Sequence, residues 1–125
     1  MTHRWWGILL GASLLGCQPA NEAKTLPPPP PTPPEFQSGE VLFGRTCSRC
    51  HGLAARGTDL GPPLVHRVYE PRHHADIAFY RAVEFGVAPH HWRFGSMQPV
   101  PGVARDEVTQ IIGYVRWLQR DAGIF

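Results

Sequence analysis

Cys47-Ser48-Arg49-Cys50-His51 sets two thiols apart by two residues and follows the second at once with an imidazole. Thiols at that spacing can each add to one vinyl group of a single porphyrin, while the neighbouring imidazole reaches the iron. One short segment would then hold a haem at three points. A Cys-x-x-Cys pair also occurs as half of a zinc site or as a thioredoxin-like redox pair. A zinc site needs two further ligands, and with no second cysteine pair the histidines alone would have to supply them. A thioredoxin-like pair belongs at the start of a helix in a strand-rich βαβ pattern, which this glycine- and proline-punctuated chain lacks. The pentapeptide is read as a haem attachment site, with Cys47 and Cys50 as covalent anchors and His51 as an iron ligand.

The third cysteine is Cys17. Before it, His3 and Arg4 precede an uncharged apolar run from Trp5 to Leu15, the shape of a signal peptide over residues 1–16. The run is about half the length a membrane-spanning helix needs. Leu14-Leu15-Gly16-Cys17 resembles a bacterial lipobox, which predicts cleavage before Cys17 and a lipid on its thiol. That would also use up what is otherwise a lone reactive thiol in an exported protein. Gln18, where an Asp often marks inner-membrane retention, favours sorting to the outer membrane. Residues 17–35 read as a linker. Pro27 to Pro31, Pro33 and Pro34 enforce an extended polyproline stalk, and the tether would reach roughly 50 Å from the membrane surface. The expected location is the bacterial cell envelope, with the domain in the periplasm.

Charge is uninformative: 12 basic side chains oppose 10 acidic ones, and loss of Arg4 with the signal leaves 11. Nothing in it supports a nucleic-acid partner.

The remaining residues, 36–125, form one small domain that buries a limited core and would gain from a covalent staple. Three helical patterns position the motif, and no strand pattern competes with them. Gly39, Leu42, Phe43 and Thr46 give one face to a helix running into the cysteines. Ala75, Ala78, Phe79, Ala82, Val83 and Gly86 form a second stripe. Val108, Ile111, Ile112, Val115 and Leu118 share one side of a helix from about Asp106 to Arg120, with Gly123 as its stop. Ala104 sits at the expected cap of that helix, where a missing side-chain acceptor costs about 1 kcal/mol.

Glycine and phenylalanine ahead of Cys-x-x-Cys-His, a Gly-Pro loop, a late methionine and a terminal Tyr-Val-x-x-Leu helix occur here in order. The domain resembles a class I monohaem cytochrome c. The resemblance implies an all-α, cytochrome c-like fold of three to five short helices around one covalently attached haem c. It also implies that the first and last helices cross closely, with Gly39 and Phe43 on one and Tyr114 and Leu118 on the other. The crossing would explain Gly39, and Gly113 is open to the same explanation. By the same resemblance the Gly61-Pro62-Pro63-Leu64 loop supplies a proline carbonyl to His51, carried over to Pro62 with Pro63 as the other possibility. Met97, in Gly95-Ser96-Met97-Gln98-Pro99, takes the place of the sixth iron ligand, although Gln98 interrupts the usual Met-Pro pair.

The histidine pairs His73-His74 and His90-His91 are the rival ligands, His91 lying near Met97. Adjacent residues on a helix point about 100° apart, so a pair rarely gives two ligands to one metal. A copper site using His90 or His91 stays open. His66 and Arg49 read as surface residues, and Trp92 as a packing anchor or a wall of the haem crevice.

The expected function is one-electron transfer by a membrane-tethered carrier that docks weakly and transiently with redox partner proteins. No enzymatic activity and no small-molecule substrate are expected, since two protein ligands leave no open iron position. The alternative is a haem- or copper-based sensor that uses Met97 dissociation or the His90/His91 pair.

Overall fold

The computed structural model describes residues 27–125. The expected signal peptide, the expected lipidation at Cys17 and the expected linker up to residue 26 lie outside the described residues. Four helices follow in order: α1 (Pro34–Thr46), α2 (Ser48–His51), α3 (Asp76–Phe85) and α4 (Arg105–Asp121), with single 3-10 turns at Leu53–Ala55 and Arg67–Tyr69. Among the described residues the only strand-like pairing is an isolated antiparallel bridge between Val87 and Met97. No helix among them is long and apolar enough to cross a membrane.

The proline run does not stop short of the domain. Pro33 is the N-cap and Pro34 the first helical residue of α1. A proline suits that position, because its fixed φ is helical and its missing N–H would have had no partner. The helix thus begins two residues before residue 36. Glu35 adds a carboxylate to the positive end of the helix dipole.

α1 packs most extensively on α4. Phe43, Ile111, Tyr114, Val115 and Leu118 form the buried centre of this contact, with Phe43 2% and Val115 0% exposed. Phe43 meets Tyr114 at 5.7 Å between ring centres, and Phe36 stacks on Trp117 at 6.0 Å. The backbones touch at Gly39, where a Cβ would overlap the Gln110 carbonyl oxygen and stand 2.9 Å from Tyr114 Cβ. Gly113 has a different setting, since a Cβ there would meet only the Phe36 ring at 3.8 Å, an ordinary contact. Close approach accounts for Gly39 alone.

At the start of α4, Ala104 is the cap and offers no side-chain acceptor. Glu107 supplies half of a capping box by reaching back to accept the Ala104 N–H at 2.9 Å, and its other oxygen meets Arg45 of α1 at 3.2 Å. The far end of α4 carries a feature the apolar stripe does not announce. Arg116 and Gln119 are buried, at 7% and 1% exposed. Arg116 donates to Asp76 (2.8 Å), to the carbonyls of Tyr69 (2.6 Å) and His74 (2.5 Å), and to Gln119 Oε1 (2.7 Å). Gln119 donates to the carbonyls of Leu64 and Tyr69. A buried guanidinium is tolerated because its donors are spent on these acceptors. The pair ties residues 64–76, which have few backbone bonds of their own, to the last helix.

Candidate cofactor site

α1 delivers the cysteine motif directly. The Cys47 N–H donates to Phe43 O at 2.8 Å, and the His51 N–H to Cys47 O at 2.9 Å, so α2 is one turn hung from the end of α1. Ala54 and Ala55 then adopt left-handed backbone, with φ of 51° and 56°. Such φ values cost an alanine about 1–2 kcal/mol each. Ala55 is fully buried in the core cluster and its carbonyl accepts from Leu64 (2.8 Å) and Val65 (3.1 Å). The strained turn therefore folds the Gly61-Pro62-Pro63-Leu64 loop back over His51.

His51 Nδ1 lies 2.9 Å from the Pro62 carbonyl oxygen. A carbonyl can only accept, so the Nδ1 carries the proton and Nε2 keeps its lone pair. Burial lowers the pKa of this imidazole, and the bond to Pro62 offsets part of the effect. Both the burial and the tautomer favour the neutral ring. Burial raises the Cys47 pKa, the Thr46 hydroxyl 3.2 Å from its sulfur works against the rise, and Cys50 adds to it. Cys50 is exposed.

Cys47, Cys50 and His51 line a mostly apolar cavity of about 870 Å³. The second sequence stripe lies along it: Ala78, Phe79, Ala82 and Val83 of α3 face the cavity, which explains why a helix so apolar on one side has no fully buried residue. Met97 lines it too. The methionine loop is fixed to the end of α3 by backbone alone, with Val87 and Met97 exchanging two bonds of 2.9 Å and Val100 donating to Val83 O at 2.8 Å. Gly86 makes that fit possible. Its φ of 74° and ψ of −175° suit only glycine, and a Cβ would overlap the Met97 carbonyl oxygen. The interruption at Gln98 leaves Met97 in the cavity wall.

Trp92 also lines the cavity, with His66 against its ring at 5.0 Å and Phe94 at 6.2 Å. Burial raises the Tyr69 pKa and the nearby indole offsets part of the rise, yet Trp92 Nε1 completes no hydrogen bond of good geometry and is buried. A buried donor short of a full partner, on a residue that lines the cavity, suits an acceptor brought by whatever fills it. Arg49 is exposed, and His66 caps the second 3-10 turn by accepting from the Val68 N–H at 3.1 Å. His74, His90 and His91 are further lining residues.

Sequence reasoning did not anticipate the Val87–Met97 bridge or the Arg116–Gln119 pair. The second left one signal: Arg116 and Gln119 continue from Ile112 at the i, i+4, i+7 spacing of a buried face.

Comparison with curated proteins and with solved structures gives no match. The family model described as cytochrome c matches residues 36–119, from the first turns of α1 almost to the end of α4. The match spans the cysteine motif, every wall of the cavity and the α1/α4 crossing, and the chain belongs to the cytochrome c family, the haem c-bearing electron carriers.

Proposed function

We propose that the chain is a one-electron carrier tethered through a lipid on Cys17 to a membrane of the bacterial envelope, the outer membrane by its Gln18, with its domain in the periplasm. Cys47 and Cys50 anchor the haem as thioethers, and His51 and Met97 bind its iron. One observation carries the ligand assignment: His51, its Nδ1 proton held at 2.9 Å by Pro62, lines the same apolar cavity as Met97. The residues fit the group, because an apolar disc suits the apolar walls and the buried, unpartnered Trp92 Nε1 suits a propionate carboxylate.

Haem supplies a reversible one-electron couple when bound. The chain's own part is to set its ligands and exclude water. The Pro62 carbonyl orients the His51 ring and raises its basicity. A Met97 thioether favours the reduced iron and gives a higher potential than a second histidine would. Phe43, Phe79, Val83 and Ile111 keep the site apolar. His51 and Met97 would together hold the iron, and the group would supply single-electron exchange with donor and acceptor proteins and leave no position for a substrate. Docking is weak and brief, and the stalk keeps encounters frequent.

The test is the holoprotein's near-infrared spectrum and its response to carbon monoxide. The ferric protein is expected to show the weak thioether-to-iron band, and Met97→Ala to lose it and to bind carbon monoxide when ferrous. A wild-type protein that lacks the band, or that binds carbon monoxide readily at neutral pH, overturns the assignment. Labelling with a radioactive fatty acid, lost in Cys17→Ala, tests the tether.

A further inference from the structure

Four of the seven histidines meet at one place. His73 and His74 come from the turn before α3, and His90 and His91 from the loop between α3 and Met97. His73 and His74 stack at 4.8 Å between ring centres, His91 stands edge-on to them at 5.0 and 5.2 Å, and His90 lies 4.3 Å from His91. One ring nitrogen from each of His73, His74 and His91 lies within 4.8 Å of the other two. The helical expectation that adjacent histidines diverge fails because neither pair is on a helix.

The cluster is also built as a ligand set. His74 Nδ1 is 2.6 Å from the Val68 carbonyl oxygen, so it holds the proton and leaves Nε2 as a lone-pair donor. The His74 carbonyl is gripped by the buried Arg116, which fixes the turn. His90 Nδ1 is held in the same way, 2.9 Å from Ala88 O. A ring nitrogen bonded to a carbonyl, with the other left free, is the support that metal-binding histidines use.

We propose that His73, His74 and His91 bind one divalent transition-metal ion of the imidazole-preferring class, copper or zinc. Three imidazole nitrogens around one open position form a common arrangement for these ions. Ligands at about 2.0–2.1 Å from a tetrahedral ion stand roughly 3.3 Å apart. Side-chain rotations of the exposed His73 and His91 close the gap from 4.8 Å. His90, beside His91, is the group nearest to the open position. The site is separate from the proposed iron ligands, but His74 and His91 also line the haem cavity. A bound dication therefore favours the electron-rich haem and raises its potential, a consequence that rests on the carrier reading.

The test titrates the ferric holoprotein with copper(II) chloride and follows the copper by electron paramagnetic resonance. One equivalent with nitrogen couplings is expected, with binding at least tenfold weaker in both His73→Ala and His91→Ala and the haem spectrum unchanged in each. Both rings are exposed, so neither truncation empties the core. Uptake well below one equivalent, or wild-type affinity in either variant, overturns the proposal. So does loss of the wild-type axial haem spectrum in His91→Ala, which would place that ring on the iron. Copper binding is read independently of the near-infrared band, so failure of the carrier reading and failure of this site are distinguishable.

Discussion

Gly39→Ala and Gly113→Ala make the same chemical change on the two helices that cross, and the crossing makes their outcomes opposite. Each substitution gains about 1 kcal/mol of helix propensity. At Gly113 that gain stands, because the new methyl group meets only the Phe36 ring at 3.8 Å. At Gly39 the methyl overlaps the Gln110 carbonyl oxygen and comes within 2.9 Å of Tyr114 Cβ, atoms of a helix backbone and its first side-chain carbon that cannot swing aside. The helices must part by roughly 1 Å, and overpacking of this kind costs about 1–3 kcal/mol, occasionally more. Parting them also loosens Phe43, Tyr114 and Val115, so the upper end of that range applies, and a net loss of about 2 kcal/mol is expected. For a domain this small, each kcal/mol moves Tm by about 4–8 °C. Thermal unfolding of the two ferric holoproteins, followed by circular dichroism, should show Gly39→Ala melting about 8–16 °C lower and Gly113→Ala at or slightly above the wild type. Equal melting of Gly39→Ala and wild type would refute the close-approach reasoning, as would an equal loss in Gly113→Ala.

Gly86→Ala places a Cβ against the Met97 carbonyl in a backbone region that costs a non-glycine residue about 1–3 kcal/mol, so the methionine loop should shift. The expected outcome is a weakened near-infrared thioether band with the helical circular dichroism retained. Arg116→Ala leaves the His74 carbonyl without its donor and Gln119 Oε1 without its partner; at about 1–3 kcal/mol for each buried unsatisfied group, urea unfolding should report a loss of about 2–6 kcal/mol. Arg116→Lys should recover only part, since one ammonium cannot span acceptors arranged for a planar fork. In Cys47→Ala, Cys50→Ala chains the cavity of about 870 Å³ stays without its covalent filler. At about 24 cal/mol per Å³ that is on the order of 20 kcal/mol, an upper figure for a cavity with a mouth but beyond the whole stability of a small domain. Such chains should be largely unfolded by circular dichroism, and native helicity would refute the claim that haem staples the core.

The parts of this fold that could be read in advance are those that repeat or lie side by side in the chain. Periodicity reports a face, so α1, α3 and α4 were visible, and five contiguous residues carry the attachment motif. Periodicity does not report what the face meets. The α3 stripe walls the cavity, which its period alone does not tell, while Gly39 and Gly113 look alike in sequence and differ in what a Cβ would meet. The histidine pairs depart from the helical premise for a related reason: the 100° rule belongs to helices, and a turn can set neighbouring rings in a stack.

A second boundary separates the proposed ligands from the groups that orient them. His51, His74 and Met97 are recognisable by residue type, but what positions them is main chain. The acceptors are the carbonyl oxygens of Pro62 and Val68, the His74 loop is held by its own carbonyl on Arg116, and Met97 is held by its exchange with Val87. Every residue has a carbonyl, so no motif distinguishes the one that matters unless a family pattern marks it, as it marked Pro62. The two sites share this logic, in which a side chain names the chemistry and a backbone oxygen fixes its tautomer. Buried donors such as Arg116 and Trp92 mark what the motifs leave out, because each needs acceptors that no helical pattern supplies.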